Sequence, residues 1–388
     1  MRNFFAGALI IILLLAGCAP NFQKEEEIVQ ENDKSEKTSI VPNFQISDQY
    51  YKTVLPFEPS QARGLTVNRL NTRVDMDEFE LGLMRIARNM YDPGKYLFQE
   101  GQYLDKETVQ SWLNRKYTDD QLKEKGLDPS ENLGLNPVDP GKGDAKTRNE
   151  QNPIYLAHIL EQNYLIKDDK GKANLAGVVI GLALNSVHYY QEVQFGPTFE
   201  KKISRKELES EGKKIAEEVL NRLRKIEGLE NVPITIALFE QESQDSVVPG
   251  NFFAYANSTE GNKLGGWQEV KEDYVLFSSA EAEKNHRDDL TMFLNFKQDV
   301  EEYFPNFNGV VGTAHYVEEQ LQDLSIEIPI QFYGKAEVIG FTQYVAGLVI
   351  EHFPKYVAIE VSVTSVNGPE ALIVKDINED EPFVHIYN

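Results

Sequence analysis

The chain contains a single cysteine, Cys18, which stands at the end of an apolar stretch close to the N-terminus. One thiol cannot form an internal disulfide, so the folded part must be stabilised by packed hydrophobic cores. Hydrophobic residues make up 41% of the 388-residue chain and aromatic residues 11%, which is enough to build such cores. This length accommodates one large or two ordinary domains.

The residues before Cys18 have the three parts of a secretory signal. Arg2 supplies a basic start, Phe4–Leu15 is an apolar core, and the small residues Ala16 and Gly17 precede the cut. At about 1.5 Å per residue the core spans about 20 Å, short of the roughly 30 Å of a bilayer's hydrocarbon, which argues against a permanent transmembrane helix. We predict a lipoprotein signal peptide at residues 1–17, cleaved before a cysteine whose thiolate carries a diacylglycerol. The alternatives are an ordinary cleaved signal and an uncleaved anchor.

Lipidation would consume the only thiol, which excludes thiolate metal sites and cysteine-based catalysis. Two acyl chains, at about 0.8 kcal/mol per buried methylene, hold a protein firmly, so we expect a lipid anchor at the outer face of the cell membrane. The net charge of −23 repels phosphates and anionic headgroups, so no nucleic acid partner is expected. Residues 18–45 are rich in charge and poor in apolar side chains, which predicts a flexible tether.

Hydrophobic periodicity and turn residues predict an α+β fold. Predicted strands are residues 64–70, 154–160, 175–184, 232–239, 309–317, 324–332, 357–364, 371–375 and 382–387. Predicted helices are residues 79–90, 107–114, 205–226 and 335–353, and residues 118–150 are a predicted surface segment. The order strand, strand, helix, strand occurs twice, so we predict related repeats at residues 46–240 and 241–388, each with a small, mostly antiparallel sheet packed on amphipathic helices.

Local similarity favours the same duplication. Pro93–Leu97 is similar to Pro249–Phe253, and the only two tryptophans, Trp112 and Trp267, are separated by a comparable distance. Two lobes leave a cleft where ligands bind. The candidate ligand-binding residues are the aromatic and amide side chains Phe98, Gln102, Trp112, Asn251, Phe252 and Trp267; packing between the lobes is the alternative role.

Catalytic motifs are missing from the sequence. It has no metal-binding His-Glu-x-x-His, no nucleophile elbow and no phosphate loop, so we predict no catalytic residue, metal or cofactor. Ser210 and Lys213 have the spacing of a serine–lysine pair, but acidic neighbours indicate a solvated helix face. His286, before two aspartates, is better explained as the start of a helix than as a metal ligand. The alternative function is a cell-envelope hydrolase with acidic residues in the cleft between the lobes.

Five separated segments resemble the CamS family, the sex pheromone precursor lipoproteins of low-GC Gram-positive bacteria. They are Phe98–Asp105, Val248–Phe252, Tyr303–Gly309, Gln331–Gly334, and the ending Gly368–Val374 with Pro382–Tyr387. The resemblance implies a lipoprotein with two related repeats, whose folded part binds an extracytoplasmic ligand or protein.

The resemblance also implies that the cleaved signal yields a short apolar peptide that induces plasmid mating responses. In the family this peptide ends just before the lipidated cysteine. The corresponding residues here are Ile11, Ile12, Leu13, Leu14, Leu15, Ala16 and Gly17.

Overall fold

The computed structural model describes residues 26–32, 35–303 and 309–388. The signal peptide, the cleavage residues and Cys18 lie outside the described residues. The chain divides into two compact units. The smaller unit contains the described residues up to Glu58, Tyr91–Gln99 and Tyr164–Leu175, and the larger contains Pro59–Met90, Glu100–Asn163 and the described residues from Ala176 to Asn388. Within the described residues, every helix is too short or too polar to cross a membrane.

Nine α-helices and one 3₁₀ turn are present in the described part of the chain. The helices are α1 (Arg63–Arg69), α2 (Arg73–Ala87), α3 (Lys106–Leu113), α4 (Asp119–Lys125), α5 (Ala145–Gln151), α6 (Arg205–Leu223), α7 (Ala280–Asn285), α8 (Arg287–Tyr303) and α9 (Lys335–His352), and the 3₁₀ turn is Pro129–Glu131.

Seventeen strands accompany them in the same described ranges. They are β1 (Glu26–Asn32), β2 (Ser35–Val41), β3 (Lys52–Thr53), β4 (Tyr96–Glu100), β5 (Leu156–Lys167), β6 (Ala173–Asn185), β7 (Val187–Gln191), β8 (Thr198–Lys202), β9 (Ile234–Gln241), β10 (Asn251–Ser258), β11 (Gln268–Glu269), β12 (Glu272–Leu276), β13 (Val311–Val317), β14 (Gln320–Pro329), β15 (Ala358–Ser365), β16 (Gly368–Lys375) and β17 (Phe383–Ile386).

The larger unit contains the same arrangement twice. One sheet has the strand order β5, β6, β9, β10, β11, and the other has β13, β14, β15, β16, β17, with β12 added beside β13. In the first sheet β6 and β9 are parallel, and helix α6 lies between them in the chain; in the second sheet β14 and β15 are parallel, and helix α9 lies between them. The strand pairs that follow in each sheet are antiparallel. The predicted α+β fold with two related, mostly antiparallel repeats is confirmed.

Amphipathic helices cover these sheets. On α6, Leu208, Val219 and Leu223 are fully buried, and on α9 Phe341 and Val345 are. Their spacing of four residues, or of eleven between Leu208 and Val219, keeps them on one face of each helix and is the signal that predicted both helices. Burying each side chain stabilises the fold by about 1.5–3 kcal/mol, which is why the helices pack onto the sheets.

The smaller unit has a core of its own. The hairpin of β1 and β2 contributes Ile28 and Val41, which are packed with Val54, Leu97 and Leu165. Aromatic side chains extend this core: the rings of Tyr91 and Tyr164 are stacked with their centroids 4.8 Å apart, and the Tyr51 hydroxyl donates a hydrogen bond of 2.6 Å to the Tyr91 carbonyl oxygen. The sequence predicted a flexible tether at residues 18–45, but β1 and β2 do not belong to one, because apolar side chains of these charged strands are buried.

Four further expectations differ from the structure. Residues 64–70, predicted as a strand, lie almost wholly in helix α1, and the segment 118–150 contains two short helices and a 3₁₀ turn. Strand pairing continues the first sheet through β10 and β11, beyond the predicted repeat boundary at residue 240. The similar segments Pro93–Leu97 and Pro249–Phe253 lead into strands β4 and β10, and neither is a strand of the second sheet, so the two segments are not equivalent positions of the two repeats.

The buried hairpin gives a direct test. Ile28 is fully buried, so Ile28→Ala should destabilise the smaller unit by about 2–5 kcal/mol through lost burial and a residual cavity. Amide hydrogen exchange of Tyr91–Gln99 should accelerate accordingly. Phe44, which is 80% exposed, is the control, and Phe44→Ala should change stability by less than about 0.5 kcal/mol. Equal protection in both variants would show that the hairpin is not part of this core.

Candidate functional site

Three of the six candidate ligand-binding residues are core residues. Phe252 is 1% exposed, and its ring centroid lies 5.7 Å from that of Phe79 and 5.1 Å from that of Phe239. Trp112 is buried with the Arg222 guanidinium 5.2 Å from its ring, and Phe98 is buried in the smaller unit. The burial of these three side chains supports a packing role, which was the alternative considered from the sequence.

The side chain of Gln102 is exposed, whereas its backbone N–H is part of a hydrogen-bonded turn. Its N–H and those of the next two residues donate hydrogen bonds to the buried carboxylate of Glu161, at 2.7–3.2 Å. A Cβ atom on Gly101 would stand 2.5 Å from the Glu161 Cβ, so only glycine fits there. The Phe98–Asp105 motif thus combines the end of β4 with a turn held around one carboxylate.

The Val248–Phe252 motif is likewise explained by a buried carboxylate and by a glycine that has no room for a Cβ atom. The Gly250 N–H donates to Asp75 Oδ1 at 2.8 Å, and a Cβ on Gly250 would lie 1.9 Å from the Glu240 carbonyl oxygen. Burial raises the pKa of Asp75, and the hydrogen bonds from Gly250, Thr72 and Glu242 act in the opposite direction. The motif therefore secures the start of β10 against α2.

Asn251 and Trp267 are brought together at a cleft of about 460 Å³. Helix α6 forms one wall, and β10 with the segment 267–272 forms the floor and the other wall. The full lining is Arg205, Glu209, Lys213, Asn251, Phe253, Ala254, Trp267, Gln268, Glu269, Val270, Lys271 and Glu272. This volume is within the usual range for small-molecule and peptide pockets.

Cations lie over the aromatic rings in this cleft. The Arg205 guanidinium is 4.4 Å from the ring centroid of Phe253, and Lys213 Nζ is 5.4 Å from that of Trp267. Both cations are also ion-paired, Arg205 with Glu240 at 2.5 Å and Lys213 with Glu209 at 2.5 Å. Burial raises the pKa of Glu240, and Arg205 partly offsets this. The cleft therefore offers flat apolar surfaces bordered by ion pairs whose cations lie over the rings.

A buried ionic network begins at the end of this cleft. Arg85 on α2 donates hydrogen bonds to Glu78 on the same helix and to Glu272 on β12. Tyr274 donates to Glu78 at 2.8 Å, and its ring is stacked on that of His315, with centroids 4.5 Å apart.

The network ends at the ion pair of His315 and Asp323 on the second sheet. His315 Nδ1 lies 2.8 Å from Asp323 Oδ2, and its Nε2 lies 3.7 Å from Glu272 Oε2, which is an ion-pair distance rather than a hydrogen bond. Burial alone would lower the pKa of His315, but Asp323 and Glu272 outweigh it and raise the pKa to about 9. Burial alone would raise the pKa of Glu272, but His315 and Arg85 lower it to about 2.

The acidic residues of the cleft do not form a pair suited to acid–base work. Glu209 is paired with Lys213 and Glu272 with Arg85, which leaves Glu269 as the third carboxylate of the lining. Within the described ranges, no group of three His, Cys, Asp or Glu side chains could hold a metal ion. His286 precedes α8 directly, and its ring is stacked on that of Tyr316 with centroids 3.8 Å apart.

The sequence did not single out Arg205, Arg85 or His315 as site residues, whereas Phe253 was among the aromatic residues expected to line the cleft. Arg85 and Glu272 are 187 residues apart, so no local spacing reveals their contact. Phe253 is the bulged residue between two register positions of β10, a feature that only strand pairing shows.

Comparison with known proteins is consistent across the whole folded part. The sequence model of the CamS sex pheromone cAM373 precursor matches residues 57–381. The crystal structure of a sex pheromone precursor from Lactobacillus salivarius subsp. salivarius UCC118 is 33% identical, covers 90% of this chain and 98% of its own, and superposes with a TM-score of 0.81. The C-terminal domain of the sex pheromone staph-cAM373 precursor from Staphylococcus aureus is 36% identical over 82% of this chain and 98% of its own, with a TM-score of 0.71. No curated protein matches the chain.

The fold and the cleft define an α+β protein of two related repeats joined by a buried ionic network. The chain belongs to the CamS family of sex pheromone precursors.

The network makes a pH-dependent prediction. His315 has its pKa raised from 6.5 to about 9, so its contribution to stability is complete below pH 6.5 and is lost as pH rises through 9. The free energy of unfolding should fall by about 2–3 kcal/mol over this window, measured by urea unfolding.

Two variants separate His315 from other groups that titrate. His315→Gln should abolish the decline between pH 6.5 and 9. His188 is the control, because burial lowers its pKa to about 4 and it stays neutral throughout this window. His188→Gln should keep the wild-type slope, and the same slope in both variants would contradict the assignment.

Proposed function

We propose that this protein is an exported lipoprotein, anchored at the outer face of the cell membrane through a diacylglycerol on Cys18. The observation that carries the proposal is the position of the only cysteine, directly after a basic start, an apolar core and two small residues. Membership in a family of sex pheromone precursors supports it, because a precursor of a secreted peptide must be exported and cleaved.

We further propose that the cleaved signal yields the apolar heptapeptide Ile11–Gly17. The related structures from Lactobacillus and Staphylococcus are described as sex pheromone precursors. This segment of the present chain is uncharged and aliphatic, so the peptide can partition into membranes and enter an apolar receptor pocket.

The folded part acts in this proposal as a non-catalytic binding module. Its cleft combines Trp267, Phe253 and Asn251 with ion-paired charges, which suits recognition of a ligand or partner. A hydrolase would need two carboxylates with different protonation states facing the substrate, whereas Glu209 and Glu272 each have a cationic partner.

Mass spectrometry of the mature protein and of the culture medium tests the first two steps together. The N-terminus should be Cys18 carrying a diacylglyceryl group, and the medium should contain Ile11–Gly17. Cys18→Ala should lose the lipid mass and move from the membrane fraction to the medium, because no acyl chains remain to hold it.

Asn21→Ala is the control, since it changes the same segment and leaves the sulfur in place. It should remain lipidated and in the membrane fraction. An unmodified thiol on Cys18, or Cys18→Ala found wholly in the membrane fraction, would refute lipid anchoring. A medium without Ile11–Gly17 would refute the peptide step alone.

A further inference from the structure

The last strand of the first sheet runs along the cleft with an open edge. Among the strands of residues 26–32, 35–303 and 309–388, β11 is the last of its sheet and pairs with β10 alone. The Val270 N–H donates to the Phe253 carbonyl oxygen at 3.0 Å, so the backbone N–H and C=O groups of residues 268 and 270 point toward β10. Because antiparallel residues alternate in direction, the N–H and C=O of Glu269 point away from β10. Such groups are a template for pairing with another strand.

Helix α6 follows this edge at close range. Arg205 lies over Phe253, the partner of Val270, and Lys213 lies over Trp267, so the helix runs alongside the edge strand in the opposite direction. Arg205 and Lys213 are eight residues apart, which places them about 12 Å apart along the helix. Residues i and i+4 of an extended strand are about 13 Å apart and point to the same side. The two spacings match.

We infer that the cleft binds an extended peptide that pairs with the main chain of Glu269 and carries acidic side chains four residues apart, with an apolar side chain midway. The peptide adds one strand to the sheet, and its cleft-facing side chains alternate with solvent-facing ones. The central apolar side chain packs on Trp267 and Phe253, and the flanking carboxylates reach Arg205 and Lys213.

The charges of the cleft select this pattern. Arg205 and Lys213 keep 46% and 34% of their side chains exposed although each is paired with one carboxylate, so N–H donors remain on both for a second carboxylate, whereas Lys271 is paired with Glu318. Glu209 and Glu272 are held by Lys213 and Arg85, so they do not face the peptide as free anions. Glu269 lies opposite the middle of the bound strand and disfavours an acid there, which places the apolar residue at the centre.

This inference rests on the proposed binding role of the folded part, but not on the lipid anchor or the signal-derived peptide. The probe is the capped pentapeptide acetyl-Glu-Thr-Leu-Thr-Glu-amide, titrated by calorimetry into the mature lipoprotein in detergent micelles. We expect saturable binding that weakens with salt, because ion pairs at the rim are screened. No saturable binding at 1 mM peptide would overturn the inference.

Main-chain pairing is tested on both partners. Glu269→Pro removes the outward N–H and leaves the ladder to β10 intact, since proline is tolerated on an edge strand. Its control is Glu269→Ala, which keeps the N–H and removes only the carboxylate. We expect binding at least tenfold weaker for Glu269→Pro and unchanged or tighter for Glu269→Ala, with melting temperatures of both variants verifying the fold.

The matched peptide with N-methylleucine at its centre keeps every side chain and loses one backbone donor. It should bind at least tenfold more weakly than the parent to the wild-type protein, which involves no change in the protein. Trp267→Ala should abolish binding of both peptides. If Trp267→Ala abolishes binding but N-methylation and Glu269→Pro do not weaken it, the cleft is a binding site and strand addition is wrong, so the proposed function survives and this inference does not.

Discussion

The larger unit depends on the guanidinium of Arg85, which is held between two carboxylates from different repeats. Glu78 is on the same helix, and Glu272 is on the first strand of the second sheet. These charges are largely buried, so leaving the Arg85 cation without its partners would cost several kcal/mol. The two carboxylates have further partners, because Tyr274 donates a hydrogen bond to Glu78 and His315 lies at ion-pair distance from Glu272. An arrangement of this kind favours one relative placement of the two repeats over others that hydrophobic packing alone would allow.

The same contact shapes the candidate site. Glu272 closes one end of the cleft and takes part in the network, and the Asn251 side chain donates to the Glu272 carbonyl oxygen at 2.6 Å. The chain between β11 and β12 passes from one sheet to the other within three residues, which leaves the edge of the first sheet uncovered beside α6. A binding edge is thus a consequence of how one repeat follows the next.

Much of the fold could be predicted because its signals are local. Helices α6 and α9 show apolar residues at helical spacing, and the strands β15 and β16 show alternation, so their bounds were correct within a few residues. Strand β10 was missed because buried residues on both faces leave no alternation, and α1 was predicted as a strand although it forms a short helix. The hairpin of β1 and β2 was missed because the charges of the segment conceal two buried positions, Ile28 and Val41.

The site was predictable only in part. Trp267 and Asn251 were selected for their chemistry and do line the cleft, whereas Phe252, selected on the same grounds, is a core residue whose burial depends on the distant ring of Phe79. The ionic network joins residues far apart in the chain, so no motif could reveal it. The most direct test of its role is urea unfolding of Arg85→Met, followed by residue-resolved hydrogen exchange in both sheets. We expect the single transition of the larger unit to separate into two, with the free energy of unfolding lowered by about 3–5 kcal/mol; one transition with an unchanged midpoint would contradict the claim that Arg85 joins the two repeats.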